Sequence, residues 1–158
     1  MRTGYKVCDA MTESPVMVKK NISLMNCANV MKDKHIGSVL IQDKEGLHIL
    51  TEQDIVRRGT ALGLNPEEAL VSEIMNKVEH TIYPEQDIFE AIVKMRDFDI
   101  KHLPVIGGDQ MVGLITLKDV LRIEPQLFEI MAEKFELSEE EKKPLNSVKV
   151  DAGVCNIC

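Results

Sequence analysis

Two pairs of residues in this chain combine a hydroxyl group and a carboxylate at the same spacing. Thr51 precedes Asp54 by three residues, and Thr116 precedes Asp119 by three residues. A Thr-x-x-Asp pair after an apolar strand is typical of a helix N-terminus, where each side chain bonds to a backbone amide. The same groups suit a nucleotide, because the carboxylate accepts hydrogen bonds from ribose hydroxyls while the threonine and the helix N-terminus face phosphate. The spacing therefore predicts two helix caps, two nucleotide sites, or both.

Two arginines lie one helical turn after the two aspartates, at Arg57 and Arg122. They are candidates for contact with ligand phosphates, and they are equally consistent with surface arginines on an amphipathic helix. In a nucleotide site of this kind, backbone groups of the preceding strand contact the adenine edge, and the side chain of Val18 or Ile82 packs against the ring. Such a site requires no glycine-rich phosphate loop.

A third group of candidate residues is the Cys-x-x-Cys pair Cys155 and Cys158. This spacing is that of one half of a zinc or iron site, and a tetrahedral site needs four ligands. Three interpretations stay open: the chain stops within a small metal-binding domain, two chains share a metal, or the cysteines bind none. Cys8 and Cys27 stand singly among apolar residues, so we interpret them as small buried hydrophobic residues.

The two Thr-x-x-Asp pairs belong to an internal repeat. Met11 and its surroundings recur at Met75, an offset of 64 residues, and the offset is 65 between Thr51 and Thr116. We place the extra residue in the turn at 107–109. Each unit alone is near the lower limit for a self-sufficient core, so we expect the two to pack on each other.

Hydrophobic periodicity gives each unit the order strand, helix, strand, strand, helix. In the first unit the strands are predicted at 16–18, 38–42 and 47–50, with helices after Ser23 and from Thr51. In the second unit the strands are predicted at 80–83, 103–106 and 111–115, with helices after Asp87 and from Thr116.

Two further helices are predicted outside this repeat. One begins at Asn65 and Pro66, where the two units join. The other follows Pro125. Its apolar face, which we expect to pack on the pair or on a second chain in a homodimer, carries Leu127, Ile130, Met131 and Phe135.

Composition restricts the class of protein. Of 158 residues, 44% are hydrophobic and 28% are charged, which is typical of a soluble globular protein. No apolar run approaches the ~18 residues of a membrane span, and the N-terminal residues lack a secretory signal pattern, so we expect a cytoplasmic protein. The net charge of −7 argues against binding to a nucleic-acid backbone. We find no nucleophile beside a base and predict that the chain is not an enzyme.

Both halves resemble CBS domains, which occur as tandem pairs called Bateman modules. The resemblance covers about residues 7–124 and rests on the segments 36–41, 49–57, 100–105 and 112–120. It implies an α+β fold in which two βαββα units pack sheet to sheet as a pseudo-two-fold pair, followed by a C-terminal helix. The expected divisions are a first CBS domain at 1–64, a second at 65–124, a helix and linker at 125–143, and the start of a candidate metal-binding extension at 144–158.

The resemblance also implies a function. Paired CBS domains bind adenosyl ligands such as AMP, ADP, ATP or S-adenosylmethionine in clefts and regulate a protein partner without catalysis. Asp54 and Asp119 are then expected to hold ribose, with Thr51 and Thr116 on the phosphate side. The remaining candidate binding residues are Val18, Ser38, Val39, Arg57, Ile82, His102, Leu103, Pro104 and Arg122.

One difference between the halves leads to a ranking of the two clefts. Gly113 provides the small residue that the family often has before the last strand, whereas the first half has His48 there. We predict that His48 narrows the first cleft or adds a phosphate ligand, so that the second cleft binds more tightly. Two rival functions stay open: a metal or redox protein that uses the pair as a dimerising scaffold for zinc or iron at its C-terminal cysteines, and a structural module with closed clefts.

Overall fold

The computed structural model of the protein describes residues 2–129 and 131–132. The same order of elements occurs in both halves. The first half contains α1 (Val7–Ala10), β1 (Thr12–Glu13), α2 (Leu24–Lys34), β2 (Ser38–Asp43), β3 (Gly46–Thr51) and α3 (Glu52–Asp54). The second half contains α4 (Val71–Ile74), β4 (Asn76–Lys77), α5 (Ile88–Phe98), β5 (His102–Gly107), β6 (Gln110–Thr116) and α6 (Leu117–Ile123). A π-helical turn at Ile55–Gly59 and a 3-10 turn at Thr60–Leu62 extend α3, and a 3-10 turn at Pro125–Leu127 follows α6.

The two 11-residue helices, α2 and α5, begin at the caps that the sequence predicts. The Ser23 hydroxyl accepts a hydrogen bond from the Asn26 amide at 3.2 Å, and the Asp87 carboxylate accepts one from the Phe89 amide at 2.8 Å. These side chains satisfy amides that the first helical turn leaves without partners. The amphipathic stripes then place apolar side chains of each helix against its own hairpin.

The predicted hairpins are confirmed, but the inserted residue lies elsewhere than predicted. β2 pairs with β3 without interruption, whereas the register of β5 and β6 shifts between Val105 and Ile106. Val105 is opposite Gly113 and Ile106 is opposite Met111, so Val112 is the extra residue. A β-bulge accommodates one added residue while both flanking segments keep their faces. The turn at 107–109 is therefore not the place of the insertion.

Each three-stranded sheet contains a strand from the other half. β1 pairs antiparallel with β6, and β4 pairs antiparallel with β3, giving the orders β1-β6-β5 and β2-β3-β4. The chain then returns to its own half, where Met17 and Ile82 each form a single parallel bridge. The segments 16–18 and 80–83, which were predicted as strands, therefore form only isolated bridges. The two-residue strands β1 and β4 lie earlier in the chain.

The two hydrophobic cores exchange their first helices in the same way. Val7 and Ala10 of α1 are buried in the core of the second half, and Val71 and Ile74 of α4 are buried in the core of the first half. The predicted division at 64/65 separates the sequence repeats, whereas the packed cores interleave segments from both. This exchange fixes the two halves against each other, and the observed α+β architecture agrees with the predicted pair of units.

The two helix predictions outside the repeat have different outcomes. Asn65 caps only a turn: its side chain and carbonyl accept hydrogen bonds from the next residues, and the helix that follows is the four-residue α4. After Pro125, Leu127 and Met131 are 2% and 3% exposed and belong to the core of the second half, so these two residues pack on the pair, which is the first of the two predicted alternatives. Ile130 and Phe135 lie outside the described residues.

Candidate ligand-binding clefts

Both Thr-x-x-Asp pairs form complete capping boxes. Asp54 Oδ2 accepts hydrogen bonds from the Thr51 amide at 2.9 Å and from the Thr51 hydroxyl at 2.6 Å. Asp119 Oδ2 accepts the corresponding bonds from Thr116 at 3.0 and 2.6 Å. Each threonine oxygen in turn accepts a hydrogen bond from the aspartate amide. The caps therefore use one carboxylate oxygen and leave the other, Oδ1, for a further partner.

The two Oδ1 atoms have different surroundings. Asp54 Oδ1 accepts a hydrogen bond from the Asn76 side-chain amide at 2.9 Å, and the Asn76 carbonyl accepts one from Arg58. Asp119 Oδ1 accepts no hydrogen bond within 2–129 and 131–132; its nearest cation is Arg122 Nη2 at 3.8 Å. The carboxylate in the second half is thus open to a donor, while its counterpart is already engaged.

Each carboxylate lies in a cleft that contains residues of both halves. The first cleft, about 550 Å³, is lined by Gly37, Ile49, Thr51, Glu52, Gln53, Asp54, Asn76, Lys77, Val78, Glu79, His80, Asp99, Ile100, Lys101, His102 and Pro104. This volume is within the range of ~300–1,000 Å³ that is usual for small-molecule sites. Asn76 to His80 enter it because β4 completes the sheet of the first half.

The second cleft is wider, about 1400 Å³. Its lining includes Thr116, Asp119 and Arg122 of the second half, together with first-half residues from β1, α2, the start of β2 and the helical segment after Thr51. The first-half residues are Thr12, Ser14, Pro15, Val16, Ala28, Met31, Lys32, His35, Ile36, Gly37, Ser38, Glu52, Ile55 and Val56. The capping aspartate of each half thus faces a wall that the other half supplies.

The structure brings together eight of the thirteen predicted ligand-binding residues. The first cleft contains Thr51, Asp54, His102 and Pro104, and the second contains Ser38, His102, Thr116, Asp119 and Arg122. The others line neither cleft. Val39, Ile82 and Leu103 are at most 1% exposed within the cores, Val18 packs against the first core, and Arg57 is exposed at the surface.

The apolar cleft walls are formed by residues that sequence reasoning missed. Ile49 and Ile100 line the first cleft, and Ile36 and Leu114 are their counterparts in the second. These side chains, rather than the buried Ile82, present apolar surface to the clefts. Strand alternation was a usable signal for Ile49 and Leu114, because residues two before a threonine of a strand share its face.

His48 does not enter the first cleft, so the stated basis for ranking the clefts is wrong. Its side chain is 7% exposed, on the opposite face of β3 from Ile49, and its Nδ1 is 3.7 Å from Asp43 Oδ1. Gly113 does not widen the second cleft either. A Cβ there would lie 2.6 Å from the Met11 sulfur and 3.0 Å from the Thr12 carbonyl oxygen, so this glycine lets β1 approach β6.

The clefts differ in charge. The first is lined by four carboxylate and two ammonium side chains, which are Glu52, Asp54, Glu79, Asp99, Lys77 and Lys101. The second is lined by four cationic and two carboxylate side chains, which are Lys32, Lys101, Lys118, Arg122, Glu52 and Asp119. With histidines neutral, the first cleft therefore carries a net charge of about −2 and the second about +2. Phosphate groups are attracted to the second cleft and repelled by the first.

His102 lies at the junction of the clefts and lines both of them. Burial lowers the pKa of its imidazole below the usual value, and the positive charge of Lys101 lowers it further, against the opposing effect of nearby carboxylates. His102 is therefore neutral at pH 7 and offers one hydrogen-bond donor and one acceptor. Its counterpart Ser38 lines only the second cleft.

The four cysteines include the remaining predicted site residues. Cys155 and Cys158 lie outside the described residues. Of the other two cysteines, Cys27 is buried in the first core as predicted, where burial raises the pKa of its thiol to about 11. The prediction is wrong for Cys8, which is exposed. Within the described part of the chain, no helix is long and apolar enough to cross a membrane.

Comparison with known sequences gives two matches to one family. The CBS domain family matches residues 7–60 and again residues 71–125. A Methanopyrus kandleri protein designated MK0525 is 31% identical over 154 residues, covering 95% of this chain and 76% of its own length. Hypoxic response protein 1 of Mycobacterium tuberculosis is 30% identical over 120 residues, covering 75% of this chain and 84% of its own length.

Solved structures show the same architecture. The CBS domain pair of protein MJ0100, in complex with 5′-methylthioadenosine and S-adenosyl-L-methionine, superposes with a TM-score of 0.66 at 26% identity, over 75% of this chain and 98% of the other. A structure of Hypoxic Response Protein I with two coordinated zinc ions superposes with a TM-score of 0.64 at 29% identity, over 75% and 98%. Both halves of the present chain are therefore matched in sequence and in fold.

Proposed function

The chain belongs to the CBS domain family, and we propose that it is a regulatory module that binds an adenosyl ligand and catalyses no reaction. The ligand class comprises AMP, ADP, ATP and S-adenosylmethionine. Binding changes the conformation or assembly of the pair, and this change is passed to a protein partner. The proposed location is the cytoplasm.

The observation that carries this proposal is the carboxylate of Asp119. It is held by the Thr116 cap through Oδ2, lines the wider cleft, and keeps Oδ1 without a hydrogen-bond donor among the residues described. A carboxylate oxygen oriented in this way accepts hydrogen bonds from the two hydroxyls of a ribose, and such charge-assisted bonds are short and strong. The cap and the ribose contact use different oxygens, so both predicted roles of the pair are compatible.

The threonines are better suited to ribose than to phosphate. Each hydroxyl donates its hydrogen to the aspartate at 2.6 Å, which leaves the oxygen as an acceptor. A phosphate contact would require this bond to break, because phosphate oxygens accept hydrogen bonds from a donor. In the second cleft we therefore assign phosphate recognition to the cationic side chains, Arg122 and Lys118 among them.

The ligand class is supported by the matched architecture of an adenosyl-binding relative. The CBS pair of MJ0100 holds 5′-methylthioadenosine and S-adenosyl-L-methionine. In the present chain, apolar residues from one half lie across each cleft from the capping aspartate of the other half. An adenosyl group needs this combination, because its base is flat and apolar on both faces while its ribose is polar.

We further propose that the module works as a homodimer. Large apolar side chains remain exposed on the described surface, including Leu62 at 71%, Val56 at 61%, Tyr83 at 60% and Phe128 at 52%. Exposed apolar side chains that form a contiguous patch are a common feature of subunit interfaces. The proposed interface no longer relies on Leu127 and Met131, which the second core buries.

A second candidate function is metal binding by the cysteine pair, with the CBS pair as a dimerising scaffold. It is favoured by the Cys155-x-x-Cys158 spacing and by the two zinc ions bound to the related Hypoxic Response Protein I. Metal analysis of the purified chain, beside a Cys155→Ser/Cys158→Ser variant, distinguishes the two candidates. Zinc or iron that disappears with the cysteines supports the metal function.

Thermal unfolding in the presence of candidate ligands tests the adenosyl proposal. AMP, ADP, ATP, S-adenosylmethionine and 5′-methylthioadenosine are each added to the wild type and to an Asp54→Ala/Asp119→Ala variant. A ligand at ~100 times its dissociation constant stabilises the folded state by ~2.7 kcal/mol. We expect at least one of these ligands to raise the melting temperature of the wild type but not of the variant. No shift with any of the five would contradict the proposal.

A further inference from the structure

The hairpin that joins β2 and β3 gathers three potential metal ligands on the first half of the molecule. Asp43 ends β2, Glu45 lies in the turn, and His48 lies in β3. One ligand atom from each residue lies within 4.8 Å of the other two. The side chains of Asp43 and His48 are each only 7% exposed, whereas Glu45 is exposed.

His48 provides the second observation, because its Nδ1 is buried and has no hydrogen-bond partner. An unsatisfied buried polar group costs about 1–3 kcal/mol, and native structures rarely keep one without a reason. Asp43 Oδ1 is the nearest carboxylate atom at 3.7 Å, which is too long for a hydrogen bond. The imidazole nitrogen therefore lies close to a carboxylate oxygen without bonding to it.

The gap between these atoms fits a shared metal ion. Two oxygen or nitrogen ligands at about 2.0–2.2 Å from a tetrahedral zinc lie about 3.3–3.6 Å apart. The observed 3.7 Å needs only a small adjustment to reach this spacing. The Glu45 side chain, which is exposed, can rotate to supply a third ligand and leave one position for water.

Neighbouring groups hold Asp43 in the required orientation. Lys20 Nζ donates to Asp43 Oδ2 at 2.9 Å, and the Glu45 amide donates to Asp43 Oδ1 at 2.8 Å. The lysine occupies the oxygen that faces away from His48 and leaves a lone pair on Oδ1. Its positive charge also opposes a bound cation, so Lys20 is expected to weaken the site.

We propose that Asp43, Glu45 and His48 form a binding site for a divalent transition metal ion, with zinc as the representative ion. A set of one imidazole and two carboxylates favours ions of this class over calcium or magnesium, which prefer oxygen ligands alone. The second hairpin has no such site, since the positions equivalent to Asp43 and His48 are Gly107 and Gly113. The site is independent of the clefts and of the proposed adenosyl function.

The test measures zinc binding to the full-length chain carrying Cys155→Ser and Cys158→Ser, which removes the cysteine pair as a competing site. Calorimetry with Zn²⁺ gives stoichiometry and affinity, and ¹⁵N spectra of the histidine rings report the atom that binds. We expect one zinc per chain and a zinc-dependent shift of His48 Nδ1, with the other three histidines unchanged.

Matched variants sharpen this test. Glu45→Gln should weaken zinc binding by about tenfold or more, because a charged ligand is lost while the exposed position leaves folding intact. Asp109→Asn, at the equivalent place in the second hairpin, should have no effect, and Lys20→Met should tighten binding. Zinc that leaves the His48 Nδ1 signal unshifted, or that binds Glu45→Gln as tightly as the parent, overturns the proposal.

Discussion

The two clefts are built from equivalent backbone elements, but their lining side chains carry opposite net charge. Each combines a capping aspartate from one half with an apolar wall from the other, and each is completed by a short strand that crosses between the halves. Yet the first cleft is lined by an excess of carboxylates and the second by an excess of cations. Duplication thus preserved the frame of the site, while substitutions on its lining changed the net charge of each copy.

Two substitutions account for the different surroundings of the two capping carboxylates. Asn76 of the first cleft corresponds to Thr12 in the second, and Arg58 corresponds to Ile123. The longer amide reaches Asp54 Oδ1, and the arginine holds the amide in place. A ribose entering the first cleft must displace this bond, whereas Asp119 Oδ1 is available at once. The second cleft is therefore expected to be the tighter site for phosphorylated ligands.

The largest effect is expected from removing the ribose-binding charge in the second cleft. Asp119→Asn should lower AMP affinity by roughly ten- to a hundredfold, since a hydrogen bond to a charged group contributes ~1.5–3 kcal/mol and ~1.4 kcal/mol is one factor of ten. Asp54→Asn is the matched control and should leave the tighter AMP binding event nearly unchanged. Calorimetry on both variants checks this ranking, and a larger loss in Asp54→Asn would reverse it.

A smaller effect is expected from making the first cleft resemble the second. Asn76→Thr removes the amide from Asp54 Oδ1 and should raise the affinity of the first cleft for 5′-methylthioadenosine by about threefold to tenfold, in line with ~0.5–1.5 kcal/mol for one hydrogen bond. The ligand carries no phosphate, so the acidic lining does not repel it. Binding is measured in an Asp119→Ala background. Unchanged or weaker binding would show that the Asn76 amide does not compete with the ligand for Asp54 Oδ1.

The two arginines should differ in their effect on phosphate recognition. Arg122 lines the second cleft, whereas Arg57 lines neither. Arg122→Gln should weaken ATP binding by about threefold, because an exposed ion pair contributes up to ~1 kcal/mol, and this loss should shrink at high salt. Arg57→Gln should bind ATP like the parent. Equal losses in both variants would indicate a general effect of net charge.

The smallest effect concerns pH. Burial lowers the pKa of His102 in the folded state, so the unfolded chain binds the proton more readily. The stability that neutral His102 contributes is complete above its unfolded pKa of about 6.5 and is lost as the pH falls below that value toward its folded pKa. The variant His102→Ser carries the residue type of its counterpart, Ser38. When the pH is lowered from 7 to 5, its melting temperature should therefore fall by about one to three degrees less than that of the parent. A parallel decline in both proteins would contradict this assignment.

The sequence predicts the architecture well because each half independently carries periodic helices, cap residues and hairpins. Ser23 and Asp87 cap helices as predicted, and Thr51 and Thr116 begin the next ones. These are local effects, in which a side chain bonds to an amide two or three residues away. Because the sequence repeats, it also predicts two clefts at equivalent places.

The parts that sequence reasoning missed depend on contacts between the halves. β1 and β4 are two residues long and pair with strands about a hundred and about thirty residues away, so no local pattern marks them. The roles of His48 and Gly113 were misassigned for the same reason. Both lie beside these crossing strands, where one residue of register decides whether a side chain points into the cleft or away from it.

One titration tests most directly the claim that the two clefts differ. The ¹⁵N-labelled chain is titrated with AMP while the backbone amide signals of Thr51, Asp54, Thr116 and Asp119 are followed. We predict that the Thr116 and Asp119 signals shift first and saturate at about one tenth of the AMP concentration that the other pair requires. If Thr51 and Asp54 respond first, or if both pairs follow one dissociation constant, the proposed difference between the clefts is wrong.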